Sequence, residues 1–329
     1  MFQTLIDPAF LAAENGGTPV LDLNFAATKA LDSRITFTRG SNATYVDSSG
    51  VLQTASSGVA RFTHNPSTLQ SLGLLIEGTR TNLLLNSATL STQNVTTTAA
   101  AHTLHFTGTG TITLTGTSTA GPLVGTGTGE ANRVSLTFTP TAGTLTLTVS
   151  GTVTNAQLEV GAFKTSYIPT TSATVQRSAD VAIMTGTNFS AWYNQTEGTI
   201  VANVVAADAA TATILTIDDI SLNNRIYLQR ESASSVARGV VAVSGSNVAS
   251  IAVTGVSTSL VAALSYKANQ FNFAAAGTAG TPDTSGTIPT VDRMRIGTVS
   301  VAGYEVNGPI ARIRYFNRAL ATAVQAITT

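Results

Sequence analysis

The sequence predicts an all-β protein: two antiparallel β-sandwiches that follow an N-terminal region, with short terminal helices. Three observations lead to this prediction. Apolar and hydroxylated residues alternate with period two in many short segments, turn-forming Gly, Pro, Asn and Ser separate those segments, and helical periodicity is scarce. Short strands bounded by such turns are typical of β-sandwiches.

Two segments show the alternation most clearly, VSLTFT at 134–139 and TLTLTV at 144–149. Their apolar residues share one side and their Ser and Thr residues the other, as in half-buried antiparallel strands. The apolar set is Val134, Leu136, Phe138, Leu145, Leu147 and Val149. The residues between the segments, Pro140 to Gly143, favour a hairpin loop that joins the two strands.

A row of threonines occupies alternate positions in TGTGTITLTGT, residues 107–117. We expect Ile112 and Leu114 to point inward and the threonines outward, since Thr is a good strand residue for a solvated face. The glycines at 108, 110 and 116 indicate bends or close backbone approach rather than a flat strand. A flat ice-binding or glycan-binding row of threonines is therefore disfavoured.

Two segments carry helical signals. DPAFLAAE at 7–14 offers Asp7 as an N-cap and Pro8 at the first helical position. NRALATAVQAI at the C-terminus offers Asn317 as a cap, and its apolar residues Leu320, Val324 and Ile327 fall on one face of a helix.

Composition and turn signals divide the chain into four parts. Residues 1–85 form a charged, irregular N-terminal region, and residues 86–168 form the Thr- and Gly-rich first sandwich. Residues 169–188 are polar and extended and resemble a connecting segment. Residues 189–329 contain at least seven further strand candidates, enough for a second sandwich, followed by the C-terminal helix. The sequence shows no repeat of fixed period, so a solenoid is not predicted.

Charged residues make up only 10% of the chain, and 17 basic residues balance 17 acidic ones. The basic residues are scattered, which argues against nucleic acid as a partner and against an anionic membrane surface. The chain has no cysteine, which excludes disulfides, thiolate zinc sites and a cysteine nucleophile. No stretch approaches a membrane span, and MFQTLIDPAF lacks the features of a secretory signal, so we expect a soluble, non-secreted protein without membrane insertion.

Two motifs follow one another in the N-terminal region. An Arg-Phe-x-x-Asn/Asp-Pro segment at 61–66 precedes Gly-Leu-Leu-Ile-Glu-x-x-Arg-Thr-Asn-Leu at 73–83. In this order they are similar to the N-terminal module of tailed-bacteriophage virion proteins. NAQLEVGAFKTSYIPTT at 155–171 resembles the close of the carbohydrate-binding-module-like jelly roll of the same proteins. WYNQTEGTI and ARIRYFNRAL resemble the ends of their concanavalin A-like, laminin-G-type lectin domain.

This resemblance implies a head fibre or capsid spike, a capsid decoration, or a tail fibre. It makes residues 1–85 a particle-attachment region, and it implies other virion proteins as partners and a homo-oligomer, with a trimer favoured. The implied location is the virion, assembled in the host cytoplasm and exposed on the extracellular particle. Since function belongs to sites rather than folds, the lectin-like fold does not by itself assign sugar binding.

The motif around Glu77 is predicted to be a structural clasp. Glu77 and Arg80 lie close enough in sequence to pair near the turn at Gly78, and Asn82 can bond the backbone. A catalytic Glu77 is the disfavoured interpretation, because a glycosidase usually needs two facing carboxylates and the sequence offers no convincing partner.

Glycan binding needs an aromatic residue with polar neighbours. In NRIYLQR the alternation sends Ile226 and Leu228 to one face and Arg225, Tyr227 and Gln229 to the other. Tyr227 is therefore the preferred candidate for an exposed aromatic residue, with Arg225 and Gln229 beside it. The only tryptophan, Trp192, and its neighbour Tyr193 are further candidates, although Trp192 is expected to pack at a domain edge.

No cofactor or metal site is predicted. His102 and His105 are three residues apart, which places their rings on opposite faces of a strand, and His64 suits a polar turn. Asp218 and Asp219 with Asn223 and Asn224 fall short of the six to eight oxygen ligands of calcium, so a solvated hairpin turn is favoured. The role of Asp180 stays open.

No phosphate-binding loop and no nucleophile elbow is found either. We therefore expect a noncatalytic structural protein of a phage particle whose sandwiches adhere to a host-surface polysaccharide. The alternatives are a tailspike-type glycan depolymerase and a purely architectural capsid decoration without a ligand.

Overall fold

The computed structural model describes residues 17–205, 211–231 and 235–329, and the predicted helix at 7–14 lies outside them. The described residues form strands and very short helices, which confirms the all-β prediction. The helices are α1 (Phe25–Thr28), α2 (Thr187–Ser190) and two 3₁₀ helices, Glu130–Asn132 and Ala326–Thr328. No helix among the described residues has the length and apolar character needed to cross a bilayer.

The strands follow one another along the whole described chain. In chain order they are β1 (Leu21–Leu23), β2 (Thr36–Thr38), β3 (Ala43–Val46), β4 (Leu52–Ala55), β5 (Phe62–His64), β6 (Ser71–Ile76), β7 (Arg80–Asn82), β8 (Gln93–Thr97), β9 (His102–Gly108), β10 (Thr111–Gly116), β11 (Leu123–Val124), β12 (Val134–Phe138), β13 (Gly143–Ser150), β14 (Val153–Val160), β15 (Val175–Arg177), β16 (Val181–Thr185), β17 (Glu197–Val204), β18 (Thr211–Asp218), β19 (Arg225–Glu231), β20 (Val236–Val243), β21 (Ser246–Thr254), β22 (Leu260–Lys267), β23 (Gln270–Ala275), β24 (Thr278–Ala279), β25 (Arg293–Ile296) and β26 (Gly308–Phe316).

The chain folds into two compact units. Residues 37–180 form one, called the central unit here, and the described residues of 1–36 and 181–329 form the other, called the terminal unit. This division differs from the four predicted parts because long-range pairing overrides sequence order. Near the N-terminus, β1 pairs antiparallel with β26, and within the predicted connecting segment β15 pairs with β7 while β16 pairs with β25.

The central unit contains a two-sheet sandwich. One sheet has the order β11-β10-β13-β8 and the other β12-β9-β14, with small two-stranded sheets β3-β4 and β7-β15 and the antiparallel pair β5-β6 beside them. Both sheets contribute apolar side chains to one core. Its fully buried members include Leu104, Phe106, Ile112, Leu145 and Leu147. The period-two prediction is thus confirmed for β10, β12 and β13.

The predicted hairpin across Pro140 to Gly143 is wrong. Strand β12 pairs with β9, whereas β13 pairs with β10 and β8 in the opposite sheet. The turn therefore carries the chain from one sheet to the other. Both strands still point apolar residues into the same core, which is why their sequence patterns look like those of a hairpin.

The threonine row is divided between two strands. Ile112 and Leu114 on β10 are buried as expected, and Thr113 and Thr115, which alternate with them, are exposed. Thr107, however, lies on β9, where it is 1% exposed and its hydroxyl lies 2.9 Å from that of Thr154. The expected outward row therefore holds only on β10.

Gly108 and Gly110 explain the break between β9 and β10. Gly108 has a φ of +128°, in the region that favours glycine. At Gly110 a side-chain Cβ would come within 2.6 Å of the Ser150 carbonyl oxygen. The predicted bend and close backbone approach are both confirmed here.

The terminal unit is also a sandwich. Strands β24-β23-β22-β17-β26, with β1 on β26, form one sheet, and β16-β25-β18-β19-β20-β21 form the other. Gly239 on β20 shows how closely the two sheets approach. A Cβ at this position would lie 2.5 Å from the Phe273 ring and 2.9 Å from the Leu264 side chain.

The C-terminal segment forms successive turns and the 3₁₀ helix Ala326–Thr328 in place of a regular α-helix. Its predicted apolar face is nevertheless correct, because Leu320, Val324 and Ile327 are buried in a cluster with Val201 and Phe316. Tertiary packing on the sheet buries these side chains without requiring a continuous helix.

Candidate functional site

Five charged side chains meet in the interior of the central unit: Arg39, Arg61, Glu77, Arg177 and Asp180. All are 3% exposed or less. Glu77 Oε2 lies 2.8 Å from Arg61 Nη1 and 3.0 Å from Arg177 Nη1. Asp180 accepts from Arg39 at 3.0 Å and from the second Arg61 amino group. These five residues are called the ionic cluster below.

Backbone and hydroxyl groups complete the ionic cluster. The Ser166 amide donates to Glu77 Oε1 at 2.7 Å and its hydroxyl to Oε2 at 2.6 Å. Burial alone would raise the pKa of Glu77, but the attraction of Arg177 and Arg61 and the Ser166 hydrogen bonds outweigh it and lower the pKa to about 2. Glu77 is therefore ionised throughout the physiological range.

The expected pair between Glu77 and Arg80 does not form. Glu77 turns inward at the end of β6, whereas Arg80 lies on β7, where its Nε is 3.6 Å from Glu159 and its guanidinium lies over the Phe163 ring. Asn82 does bond the backbone as expected. Its amide nitrogen donates to the carbonyls of residues 156 and 168, and its oxygen accepts from the amides of residues 84 and 158.

Sequence reasoning did not identify Arg39, Arg177 or Ser166, and it left Asp180 open. A usable signal was available, since RSAD at 177–180 places an arginine and an aspartate in a segment without other charges. What the sequence could not supply was the pairing across the fold. Arg39 and Asp180 are 141 residues apart in the chain.

The histidines are all packed inside the central unit. His102 and His105 lie on opposite faces of β9, as predicted, and both are fully buried. His105 lies 3.2 Å from Glu159 and 2.8 Å from Arg133. Burial lowers the pKa of His105, and this effect outweighs the hydrogen bond to Glu159, which raises the pKa. His64 ends strand β5 and is buried, so the predicted turn role is wrong.

A cavity of about 440 Å³ opens in the central unit next to the ionic cluster. Its lining is neutral, with Ser41, Asn42, Thr54 and Ser57 supplying hydroxyl and amide groups and Tyr167 and neighbouring residues supplying apolar surface. The cluster fixes one wall, because Arg39 donates to the Ser41 carbonyl at 2.8 Å.

In the terminal unit, Arg225, Tyr227 and Gln229 share one face of β19, as the alternation predicted, while Ile226 and Leu228 are fully buried on the other. Tyr227 is not the exposed aromatic that was expected. It is 7% exposed, and the Arg225 guanidinium lies over its ring, 4.6 Å from the centroid. The partly exposed polar residues of this face are thus Arg225, Gln229 and Glu231. The Gln229 amide donates to Glu231 at 3.1 Å, and Tyr227 supports the arginine.

Trp192 and Tyr193 belong to a different part of the terminal unit. They pack with Phe189 and Tyr315 in an aromatic cluster whose neighbouring ring centroids are 4.6 to 6.1 Å apart. Trp192 is 6% exposed, and its Nε1 donates to the Asn188 carbonyl at 2.8 Å. The structure therefore does not bring these two residues to the Arg225 face, and their rings serve packing.

Asp218 and Asp219 have separate roles at the end of β18. Asp219 accepts from Ser221 and Asn224 in the turn that leads to β19, as a hairpin turn requires. Asp218 is buried instead of solvated, and it accepts from Arg295 Nε at 2.8 Å. Within residues 17–205, 211–231 and 235–329, no three His, Asp or Glu side chains converge as metal ligands would.

Comparison with known proteins gives partial structural likenesses. No family model and no curated protein matches the chain. A sialidase of Streptococcus pneumoniae, NanB, aligns with 44% of this chain and 26% of its own length, at 15% identity and a TM-score of 0.37. The CBM40 of the Ruminococcus gnavus IT-sialidase, solved bound to α2,3-sialyllactose, aligns over 41% of this chain and 84% of its own, at 16% identity and a TM-score of 0.36.

A Trypanosoma rangeli sialidase aligns with 45% of this chain, at 12% identity and a TM-score of 0.33. This chain spans about a quarter of the length of that sialidase and of the Streptococcus pneumoniae enzyme. All three neighbours are sialidases or a sialidase module, so the phage resemblance stays a prediction. Since the TM-scores are low, these likenesses assign no function to this chain.

Proposed function

We propose that the protein is a noncatalytic structural component of a tailed-phage particle, a head fibre, decoration or tail fibre, that displays β-sandwiches and adheres to host-surface glycans. The adhesive surface of this proposal is the face of β19 with Arg225, Tyr227 and Gln229. The observation that carries it is the partly exposed Arg225 guanidinium, held on the Tyr227 ring at 4.6 Å and available for hydrogen bonds. A fixed arginine beside a side-chain amide suits the hydroxyl and acidic groups of glycans.

The ionic cluster supports a structural role for the phage-like motif. Arg61 and Glu77, both within the motif, pair with each other, and Arg177 and Asp180 complete the contacts. A general acid in a glycosidase needs a raised pKa, whereas the pKa of Glu77 is lowered to about 2. Glu77 therefore suits a clasp that fixes the fold of the central unit.

One such face binds a glycan weakly, and many copies of the protein on one particle compensate for the weak affinity of each face. The phage resemblance implies other virion proteins as partners and a homo-oligomer, with a trimer favoured. Several identical faces on one particle raise the apparent affinity by orders of magnitude without new contacts. A site with modest affinity for glycan is therefore sufficient for attachment.

Two experiments test the proposal. Antibodies against the chain should label phage particles from the strain that carries its gene, in electron micrographs that also give position and copy number. Purified protein should bind the surface polysaccharide of that strain and release no new reducing ends from it. Sustained release of reducing ends would favour the depolymerase, and particles without label would contradict the virion assignment.

Amino-acid substitutions distinguish a glycan-adhesion role from a purely architectural role. Arg225→Ala should weaken binding to the polysaccharide, whereas Arg312→Ala, at an exposed arginine paired with Asp22, should not. If the wild-type protein binds no polysaccharide of the strain, and particles without it infect normally, the purely architectural interpretation is correct.

A further inference from the structure

Three arginines, Arg225 among them, lie in adjacent rows of one sheet face. In the first row, Arg293 on β25, Asp218 on β18 and Arg225 on β19 are direct cross-strand neighbours. In the next row, Arg295, Thr216 and Tyr227 occupy the same three strands. Since neighbouring strands are about 4.8 Å apart, the arginines of the first row are separated by roughly 10 Å at their Cα atoms.

Two of the three arginines have their own carboxylates. Arg295 Nε is 2.8 Å from Asp218, and Arg293 Nε is 2.7 Å from Asp292 and 3.8 Å from Asp218. Arg225 has no carboxylate within 4.0 Å among the residues that the structure describes, although Asp218 is its neighbour in the sheet. Asp218 is instead turned toward Arg295 and the backbone amide of residue 220.

Two buried polar atoms of this face also lack partners among the described residues: Arg225 Nε and Thr216 Oγ1. Thr216 is 1% exposed and lies between Arg295 and Tyr227. A buried polar atom without a hydrogen bond costs free energy, so this face is less fully satisfied than most of the interior. Since these two atoms have almost no exposed surface, the group that a ligand can reach on this face is the partly exposed Arg225, which stacks on Tyr227 and has no carboxylate partner.

We propose that this face binds the carboxylate group of an acidic polysaccharide, with Arg225 as the anchoring residue. This inference rests on the proposed glycan adhesion and deepens it by assigning the charge of the ligand. The planar guanidinium offers two parallel N–H donors that match the two oxygens of a carboxylate. Stacking on Tyr227 limits the motion of the guanidinium, so less entropy is lost on binding.

A neutral ligand fits this face less well. A neutral sugar leaves the charge of Arg225 uncompensated on a face that is already partly removed from water. Asp218 illustrates the chemistry that the face accepts, because it is a carboxylate bound by two of the arginines.

The test measures binding to immobilised carboxylated polymers, each beside its methyl ester, in which the charge is removed and the backbone kept. The probes are polygalacturonate, alginate and hyaluronate, with dextran sulfate and neutral dextran as a further pair. We expect at least one carboxylated polymer to be bound about tenfold or more tightly than its ester, and the difference to shrink as salt is raised.

Arg225→Ala should lower the affinity for the carboxylated polymer about tenfold. Arg225→Lys keeps the charge but lacks the two-pronged donor geometry, and it should recover only part of the binding. The matched control is Arg238→Ala, on the same face, because Arg238 is already paired with Glu231 at 2.8 Å. Unchanged Trp192 emission and circular dichroism verify that each variant is folded.

Several results would overturn the inference. They are equal binding of polymers and esters, equal losses in the Arg225 and Arg238 variants, and capture of dextran sulfate without any carboxylated polymer. Binding of neutral polymers alone would reject the carboxylate assignment and leave the proposed adhesion intact. Failure to bind any polymer here, combined with failure on the surface polysaccharide of the host strain, would reject both.

Discussion

Replacing Glu77 with glutamine removes the carboxylate that Arg61 and Arg177 share inside the central unit. The amide introduced by E77Q keeps the shape of the side chain but carries no charge. Arg61 and Arg177 are 1% exposed or less, so water does not reach them. The variant therefore leaves an excess of buried positive charge that solvent cannot compensate.

The magnitude follows from two independent arguments. Removing one partner of a buried ion pair costs about 3–5 kcal/mol. The lowering of the Glu77 pKa from 4.5 to about 2 corresponds to about 3 kcal/mol at roughly 1.4 kcal/mol per pKa unit. We therefore expect E77Q to lower the free energy of unfolding of the central unit by about 3–5 kcal/mol at neutral pH.

The same shift gives a pH dependence with a definite sign. Because the folded-state pKa is lowered, the contribution of Glu77 is fully present above the unfolded pKa of 4.5 and is lost as the pH falls toward about 2. Wild-type protein should lose stability through this window, and E77Q should lose less, since glutamine does not titrate.

Urea unfolding followed by far-ultraviolet circular dichroism measures both effects. The control is Glu197→Gln, the same substitution at a partly exposed glutamate that lies 4.0 Å from the exposed Lys267. We expect the control to cost about 1 kcal/mol or less. If E77Q costs no more than this control, the ionic cluster does not stabilise the fold and the clasp interpretation is refuted.

Three further predictions concern the rest of the fold. Burial lowers the pKa of His105 below 6.5, so the unfolded state binds a proton more readily than the folded state, and the free energy of unfolding should fall as the pH drops below 6.5. His105→Gln should reduce this dependence of the free energy of unfolding on pH, measured by urea titrations at several pH values. An unchanged pH dependence would contradict the prediction. Leu147→Ala, at a fully buried position between the sheets, should cost about 2–5 kcal/mol by the same assay, whereas the exposed neighbour Thr148→Ala should cost about 0.5 kcal/mol or less. The single tryptophan, Trp192, is 6% exposed, so its fluorescence should be blue-shifted in native protein and should shift to the red on unfolding. Acrylamide should quench this fluorescence only weakly in the native protein. Strong quenching of the native protein would place Trp192 outside the aromatic cluster.

The sequence by itself determined which side chains of β10, β12, β13 and β19 share a face. Alternation is a local property, because successive side chains of a strand point to opposite faces whatever the strand pairs with. Leu145 and Leu147 on β13 and Ile226 and Leu228 on β19 are therefore buried as predicted. The same reasoning placed Arg225, Tyr227 and Gln229 together on the opposite face, and it identified the bend at Gly108.

Only the tertiary structure decided which strands pair and which charges meet. The turn at 140–143 suits a hairpin or a crossing between sheets equally well, and the choice depends on the partners β9 and β10. Arg39 finds Asp180 across 141 residues, a pairing that local spacing cannot encode. Long-range contacts are selected by the burial of the whole core, so the ionic cluster and the unpaired Arg225 became visible only in the folded chain.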